Sequence, residues 1–231
     1  FSLFFILKFL SYYKFFSSNF LVILISNLVL AIPAFYYVFI LDVNFFLKSA
    51  AVGINQNEKI IFNNLFNDIL INFTFFFFYI FPFLFKKIIL VEKYSNLSNI
   101  IISSIIFILC IIYFNYDYLY GGGGIIFKAS NFLFNNNYIF FIFSYISILV
   151  CLPLLLKNKY NILIFILIIL NNPQYTLYHK YFDPFLLITF FTLFSLSIKL
   201  ENIYLKKNYI YIFTYFVIFL LISNFKYLWT I

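Results

Sequence analysis

The chain contains no methionine and no arginine, and it carries only one histidine and two cysteines. Because translation starts at methionine, we expect these 231 residues to be the C-terminal part of a longer protein. One histidine and seven scattered carboxylates do not give the ligand spacing of a metal site. Cys110 and Cys151 each lie in an apolar run, where a thiol behaves as a small hydrophobic group. No cofactor is evident in this sequence, and whether the full-length protein takes a divalent metal is left open.

Charged residues are also scarce. They make up 10% of the chain, against about a quarter of a typical soluble domain. Hydrophobic residues make up 65%, and the mean hydropathy is +1.04. This composition predicts an integral membrane protein of the all-α class, because an apolar helix satisfies its own backbone hydrogen bonds in lipid. The net charge of +8 does not indicate nucleic-acid binding, since the lysines lie at the ends of apolar runs, as topology determinants do.

Seven apolar segments are candidates for transmembrane helices, which need about 20 residues to cross the hydrocarbon core. They are 19–41, 65–85, 98–115, 138–156, 160–171, 185–198 and 208–224. From them we predict a single transmembrane helical domain over residues 1–231, a polytopic bundle with about seven spans. Two segments, 160–171 and 185–198, are short. We interpret these two as helices that lead into a protein-lined cavity, or as longer helices whose polar ends are buried in protein.

The lysines are distributed unevenly between the two faces of this predicted bundle. When alternate connections are assigned to one face, ten lysines lie on one side and five on the other. The positive-inside rule places the lysine-rich face in the cytoplasm. The three longest connections, 42–64, 116–137 and 171–184, then lie on the opposite face. We expect the functional site there, because long loops carry function more often than short turns do.

Four of the five glycines lie together at residues 121–124, within the connection 116–137. Consecutive glycines permit positive φ angles and a close approach of a ligand, and their N–H groups could bind a phosphate. The alternative is a flexible turn at a membrane surface. Asp117 precedes the glycines and Lys128 follows them, without the Gly-Lys-Ser/Thr sequence of a Walker loop.

The connection 171–184 contains the only histidine, His179, next to Lys180. Pro173 and Pro184 restrict the backbone at its two ends. A lysine beside a histidine at the membrane boundary could hold a phosphate as a point charge. The alternative is a lysine that reaches toward the interface, with the neighbouring tyrosines as interfacial anchors.

One carboxylate, Asp68, follows Asn67 at the external end of the 65–85 segment. A carboxylate at that depth lies either in a cavity or beside a partner. The sequence alone assigns neither residue to a reaction.

The connection 171–184 also resembles a known family through the pattern Pro173-Gln174-x-x-x-Tyr178-x-Lys180-Tyr181-Phe182-x-Pro184. It is similar to the Pro-Gln-x-x-x-Phe-Arg-Tyr-Phe-x-x-Pro segment of the α-1,2-glucosyltransferases that use lipid-phosphate glucose. These are polytopic enzymes of the C-type glycosyltransferase (GT-C) class. In this chain lysine replaces the arginine, and the spacing at the end differs by one residue. Weaker similarities are Val52-Gly53 at the start of a polar loop and Asp117 in a tyrosine-rich loop.

The resemblance implies a membrane glycosyltransferase that takes a sugar from a polyprenyl-phosphate donor on the non-cytoplasmic face. Lys180 would contact the donor phosphate, and Asp117 with the glycines would line the sugar or acceptor site. Tyr178, His179 and Gln174 would complete the substrate-binding residues. The catalytic acidic residue would lie in the missing N-terminal part. The partners implied are membrane lipid, the donor, and a glycan or lipid-linked acceptor. The membrane would be the bacterial inner membrane, or the endoplasmic reticulum of a eukaryote.

A second hypothesis needs no catalysis. The chain would then be a polytopic membrane subunit or a transporter, for example an organelle-encoded component of a larger complex. Its polar loops would be subunit contacts. A transporter is often built from two similar halves, and no such repeat is visible in this sequence.

Overall fold

The computed structural model describes residues 18–36, 65–86, 96–116, 122–170, 177–179, 182, 185–196, 202 and 205–228. Eight longer helices lie in these ranges: α1 (Ser18–Phe35), α2 (Leu65–Phe85), α3 (Leu97–Ile112), α4 (Gly124–Phe134), α5 (Tyr138–Leu156), α6 (Lys159–Leu170), α7 (Phe185–Thr192) and α8 (Lys206–Leu228). These ranges contain no β-strand. The prediction of an all-α fold is therefore confirmed for the described part of the chain.

Each of the seven predicted segments contains a helix, and two of them, 65–85 and 138–156, coincide with α2 and α5. Helix α4 lies where the sequence predicted only a connection, so that part of the prediction is wrong. Among the described residues, only α2 and α5 are both long and apolar enough to cross a membrane. The prediction of about seven spans is thus not confirmed, although the positions of the helices are.

Helix α2 lies at the centre of the bundle. Thirteen of its 21 residues are buried, and it contacts α3, α4, α5, α6, α7 and α8. Aromatic rings on several of its faces make these contacts. Phe73 packs against Phe165 of α6 and Phe76 against Phe190 of α7, each with ring centroids 4.6 Å apart. A helix that is apolar on all sides is stable only when neighbours surround it.

Helix α5 is the second large element and contacts α2, α3, α4 and α6. Its buried polar side chains include Ser144 and Ser147. The Ser144 hydroxyl donates a hydrogen bond to the carbonyl of Phe140 (2.8 Å), and that of Ser147 donates to the carbonyl of Phe143 (2.7 Å). Because these serines bond within their own helix, they present no free polar group to the neighbouring helices.

Asparagine contacts mark the two ends of the bundle. At one end, called here the Asn67 end, the Asn115 N–H donates to Asn67 Oδ1 (3.1 Å), which joins the start of α2 to the segment after α3. At the opposite end, called the Asn161 end, the Ser195 N–H donates to Asn161 Oδ1 (2.8 Å). The Asn161 amide also donates to the carbonyl of Leu154, near the end of α5 (2.9 Å). The start of α6, the end of α5 and the segment after α7 therefore meet there.

Candidate functional site

Helices α4 and α5 form a tight hairpin. The Ser130 hydroxyl donates to the carbonyl of Asn136 (2.7 Å) and accepts the N–H of Phe140 (3.2 Å). Asn135 ends α4 in the left-handed conformation, with φ of 51°, which asparagine tolerates better than most residues. Phe140, near the start of α5, packs on Phe114 beside Asn115, with centroids 5.4 Å apart. Helix α4 therefore runs from the inside of the bundle toward the Asn67 end.

The start of α4 lies half-way along the central helix. A Cβ atom placed on Gly124 would collide with the ring of Phe75. Phe75 is the middle residue of α2, ten residues from Leu65 and ten from Phe85. At about 1.5 Å per residue, that position is about 15 Å from either end of the helix. The N-terminus of α4 is thus inside the bundle rather than at its surface.

The described glycines of the 116–137 connection are buried and tightly packed. Gly122, Gly123 and Gly124 have φ angles of 66°, 72° and 82°, which side chains with a Cβ rarely adopt. A Cβ on Gly122 would lie 2.6 Å from the carbonyl oxygen of Leu177. The Gly123 N–H donates to that same oxygen (2.8 Å). These three residues therefore do not form a surface turn. Gly121 lies outside the described residues.

Residues 177–179 and 182 pack beside the middle of α2. The His179 ring lies 4.2 Å from that of Phe75, 5.4 Å from that of Phe78 and 5.6 Å from that of Phe219 in α8, measured between centroids. Phe182 lies 4.9 Å from Phe75. These residues are therefore packed against other helices, and the face of the membrane on which the segment lies stays a prediction. Hydropathy identified the segment as polar, but the rings of His179 and Phe182 pack against Phe75.

His179 is an uncharged hydrogen-bonding group at neutral pH. Burial lowers its pKa to about 3, and the nearby positive charge of Lys128 contributes to the same shift. Its Nδ1 atom is buried and has no hydrogen-bond partner among the residues that the structure describes. The imidazole can therefore offer a hydrogen bond to a ligand but not a positive charge.

A lysine supplies the positive charge at this point. Lys128, on the second turn of α4, places its Nζ atom 5.8 Å from the centroid of the Tyr178 ring. In the sequence Lys128 is distinguished only by its position after the glycines. Three predicted site residues, Lys180, Asp117 and Gln174, lie outside the described part of the chain, so their roles stay predictions. Tyr178 and His179 follow Leu177, whose carbonyl contacts Gly122 and Gly123.

Tyr116 joins the two loops. It is 4% exposed, and burial raises its pKa well above the ordinary tyrosine value, while hydrogen bonds with the backbone of Leu177 and Gly123 act in the opposite direction. The phenol also lies within electrostatic range of Tyr178 and Asp68. It is therefore a neutral hydrogen-bonding group between the outer part of α2 and the glycines.

Asp68 lies in the first turn of α2, at the depth that the sequence predicts for it. It is 3% exposed, and its Oδ1 atom accepts no hydrogen bond from the described residues. Its backbone carbonyl accepts the amide of Asn72 (2.7 Å). The signal was present in the sequence, because Asp68 is the one carboxylate within a predicted span. Its proximity to Tyr116 could not be read from the sequence.

We call this group of residues the central site: Asp68, Tyr116, 122–124, Lys128 and 177–179. It combines one cation, one carboxyl group, neutral hydrogen-bonding side chains and the N-terminus of α4. Helix α4 starts after Gly123 without a side-chain cap, so backbone N–H groups of its first turn face the interior.

Comparisons with protein-family models, with curated proteins and with solved structures gave no match.

Proposed function

We propose that this chain is part of a membrane glycosyltransferase that takes a sugar from a polyprenyl-phosphate donor. The observation that carries the proposal is the contact between two segments far apart in sequence, the Gly123 N–H donating to the Leu177 carbonyl. The resemblance assigns these same two segments, the glycine loop and the segment with Tyr178 and His179, to one substrate site. Their contact is what a shared site requires.

The central site has the composition of a phosphate-binding site. Lys128 supplies a positive charge, and the N-terminus of α4 supplies partial positive charge and N–H donors. Tyr178 and His179 add neutral hydrogen-bonding groups. In this proposal Lys180 contacts the same donor phosphate, while Asp117 and Gln174 help to bind the sugar or the acceptor, a glycan or a lipid-linked molecule.

Membrane embedding is part of the proposal. Beyond α2 and α5, the exposed surface of α3 is rich in large aliphatic side chains: Ile101, Ile105, Ile108, Leu109 and Ile112. An apolar surface of this extent is typical of contact with lipid. We place the protein in the bacterial inner membrane or, for a eukaryotic source, in the endoplasmic reticulum. The Asn67 end then faces the non-cytoplasmic side, by the distribution of lysines.

A transporter is the second candidate, and the interrupted helices favour it. Helices α6 and α7 have 12 and 8 residues, too short to cross about 30 Å of hydrocarbon. Helix α4 starts half-way along α2. Secondary transporters bind solutes near the middle of the bilayer, at the ends of such interrupted helices. In this alternative the central site would bind a solute in transit and would form no new bond.

A donor-binding experiment tests the proposal on Lys128. We expect Lys128→Ala to weaken binding of a synthetic polyprenyl-phosphate sugar about tenfold or more, because a charge-assisted hydrogen bond is worth about 1.5–3 kcal/mol. The full-length protein in lipid nanodiscs is titrated with the donor, and release of polyprenyl phosphate on addition of acceptor is followed separately.

Lys86 provides the matched control. It is also a half-buried lysine over a tyrosine, with Nζ 4.4 Å from the Tyr211 ring centroid, but it lies just after the far end of α2. Lys86→Ala should bind the donor as the wild type does. Equal donor affinity in all three proteins would contradict the phosphate role. Solute flux into proteoliposomes without sugar transfer would support the transporter instead.

A further inference from the structure

Pro82, inside the central helix, leaves one backbone carbonyl without its ordinary donor. Proline has no N–H group, so the carbonyl of Phe78, four residues earlier in α2, receives no helical hydrogen bond from residue 82. A carbonyl without any donor is costly in apolar surroundings. The Tyr215 hydroxyl of α8 donates a hydrogen bond to this same carbonyl (3.1 Å). Another helix therefore supplies the donor that α2 lacks.

Two aromatic rings of α8 lie at the same contact. Tyr215 and Phe219 are one helical turn apart, so they lie on one face of α8. Both pack on the Phe78 ring, with centroids 5.3 Å and 4.9 Å from it. The Phe219 ring also lies 5.6 Å from the ring of His179, in the central site. Helix α8 therefore covers one side of His179 while it is bonded to α2.

Helix α8 is attached to the bundle along one side. None of its residues from 206 to 221 is buried, whereas 13 of the 21 residues of α2 are. Tyr209, Ile210 and Phe213 are each more than half exposed. An element that buries few side chains opens at a lower free-energy cost than one in the core. Separation of α8 from α2 leaves the contacts of α2 with α3, α5 and α6 in place.

The hydrogen bond is the specific part of this attachment. Packing between apolar surfaces is largely non-directional, whereas the Tyr215 hydroxyl reaches the Phe78 carbonyl in only one position of α8 along α2. Without this hydroxyl, the carbonyl loses its donor from α8 as well as the donor that Pro82 cannot provide. The bond therefore fixes α8 in the closed position, and its loss favours separation of the two helices.

We propose that α8 is a lid over His179 and that Tyr215 is the latch that holds it closed, through the carbonyl that Pro82 leaves available. In the closed arrangement the Phe219 ring covers one side of the imidazole. In the open arrangement α8 separates from the second half of α2 and uncovers the His179 side of the central site. This inference goes beyond the proposed glycosyltransferase function and does not depend on it.

Spin labels measure the movement of the lid directly. Phe213→Cys on the exposed side of α8 and Ile105→Cys on the exposed side of α3 carry the labels. Cys110→Ala and Cys151→Ala remove the two buried native thiols. Pulsed electron paramagnetic resonance records the distances between the labels in the full-length protein in lipid nanodiscs. Tyr215→Phe keeps the ring and removes the donor, so the ratio of open to closed distances should rise about tenfold, which corresponds to about 1.4 kcal/mol.

Tyr211→Phe is the matched control. Tyr211 lies one turn before Tyr215, and its ring stacks on that of Phe85, with centroids 5.4 Å apart. Loss of its hydroxyl should change the ratio by less than about threefold, because the ring contact is kept. A second pair of labels, at Ile105→Cys and Ile142→Cys, joins α3 to α5 and should keep its distance in every variant. A change in that distance with Tyr215→Phe would mean that the whole bundle loosens, which would contradict a local lid.

Pro82→Ala tests the origin of the latch. Alanine provides an N–H group that can donate to the Phe78 carbonyl, so loss of the Tyr215 hydroxyl should matter less. In this background Tyr215→Phe should raise the ratio by about threefold or less. The same rise with and without the proline would show that Pro82 does not create the latch. An unchanged ratio in Tyr215→Phe, with Pro82 present, would overturn the proposal of a lid.

Discussion

Helices α2 and α5 have nearly the same length, 21 and 19 residues, and both are apolar enough to cross a membrane. Their buried polar side chains differ. Those of α2 include Asn67, which bonds to the segment after α3, and Asp68, whose Oδ1 atom has no hydrogen-bond partner among the described residues. Those of α5 include Ser144 and Ser147, which bond to their own helix. Two helices of similar length and apolar character therefore have different roles: α2 contacts the residues of the central site, and α5 supports the bundle.

This difference teaches that hydropathy identifies where a helix lies but not which helix carries function. What distinguishes the two helices is the position of the hydrogen-bond partner of each buried polar group, either in the same helix or in another segment. A group bonded within its own helix can be replaced without effect on neighbours. A group whose partner belongs to another segment, as at Asn67 and Asn161, joins its helix to that segment. The following changes test that comparison.

The largest effect is expected at Gly124, where α4 contacts α2. Gly124→Ala adds a Cβ that collides with Phe75 at a φ of 82°. Strain at positive φ and overpacking together cost about 3 kcal/mol. The midpoint of thermal unfolding in detergent should fall accordingly. Ala129→Ser, on the exposed side of the same helix, is the control and should leave the midpoint nearly unchanged. A stable Gly124→Ala protein would mean that α4 does not press on α2.

We expect the stability of the fold to depend on pH through His179, with a change of intermediate size. Its pKa is about 3 when folded and near its ordinary value of 6.5 when unfolded. The unfolded chain therefore binds more protons below pH 6.5, so stability should decrease as the pH falls from 6.5 toward 3. Between pH 7 and pH 5 the loss is on the order of 2 kcal/mol. Thermal unfolding of wild type and His179→Phe at both pH values measures it.

The variant supplies the control for that prediction. Phenylalanine fills a similar volume among Phe75, Phe78 and Phe219 and cannot titrate. The part of the pH dependence due to His179 should vanish in His179→Phe. The same pH dependence in both proteins would show that the imidazole is not buried in its neutral form.

The smallest expected change in the free energy of unfolding comes from two substitutions that compare α2 and α5 directly. Asn67→Ala leaves the Asn115 N–H without its acceptor, and we expect a loss of about 1–2 kcal/mol. Ser144→Ala removes only a bond within α5, and we expect a loss below about 1 kcal/mol. Unfolding of both variants in detergent compares these losses. Equal losses would remove the distinction between the two helices.

The sequence predicts the positions of seven helices because each is a predominantly apolar run without a lysine or glycine in its interior. Helix α4 was not predicted because Lys128, Ser130 and Asn131 interrupt its apolar run and because it begins within the run of four glycines. Its helical state depends on packing against α2 and α5, which no local pattern reports. The contacts of Leu177 with the glycines and of His179 with α2 depend on packing in the same way, so local polarity does not specify them.

The sequence predicted several residues of the central site but not the contacts between them. The glycines, Tyr178 and His179 were identified from local sequence. Their contact spans more than 50 residues, from Gly123 to Leu177, and Asp68 is a further 48 residues from Tyr116 in the other direction. Such pairings follow from how the helices pack, so a single sequence does not specify them. Lys128 was overlooked because a lysine after a glycine run resembles an ordinary topology signal.

The contacts of Asn161 have a consequence for biosynthesis. They tie the end of α5 to the start of α6 and to the segment after α7, while α6 and α7 are each too short to cross the membrane alone. In the membrane location that we propose, neither helix would be inserted as an independent span during translation. The pair would enter together, against an α5 that is already in place. The lengths of these helices would then determine the order of assembly. The hydrogen bonds of Asn161 would form last and would hold α5, α6 and the segment after α7 together.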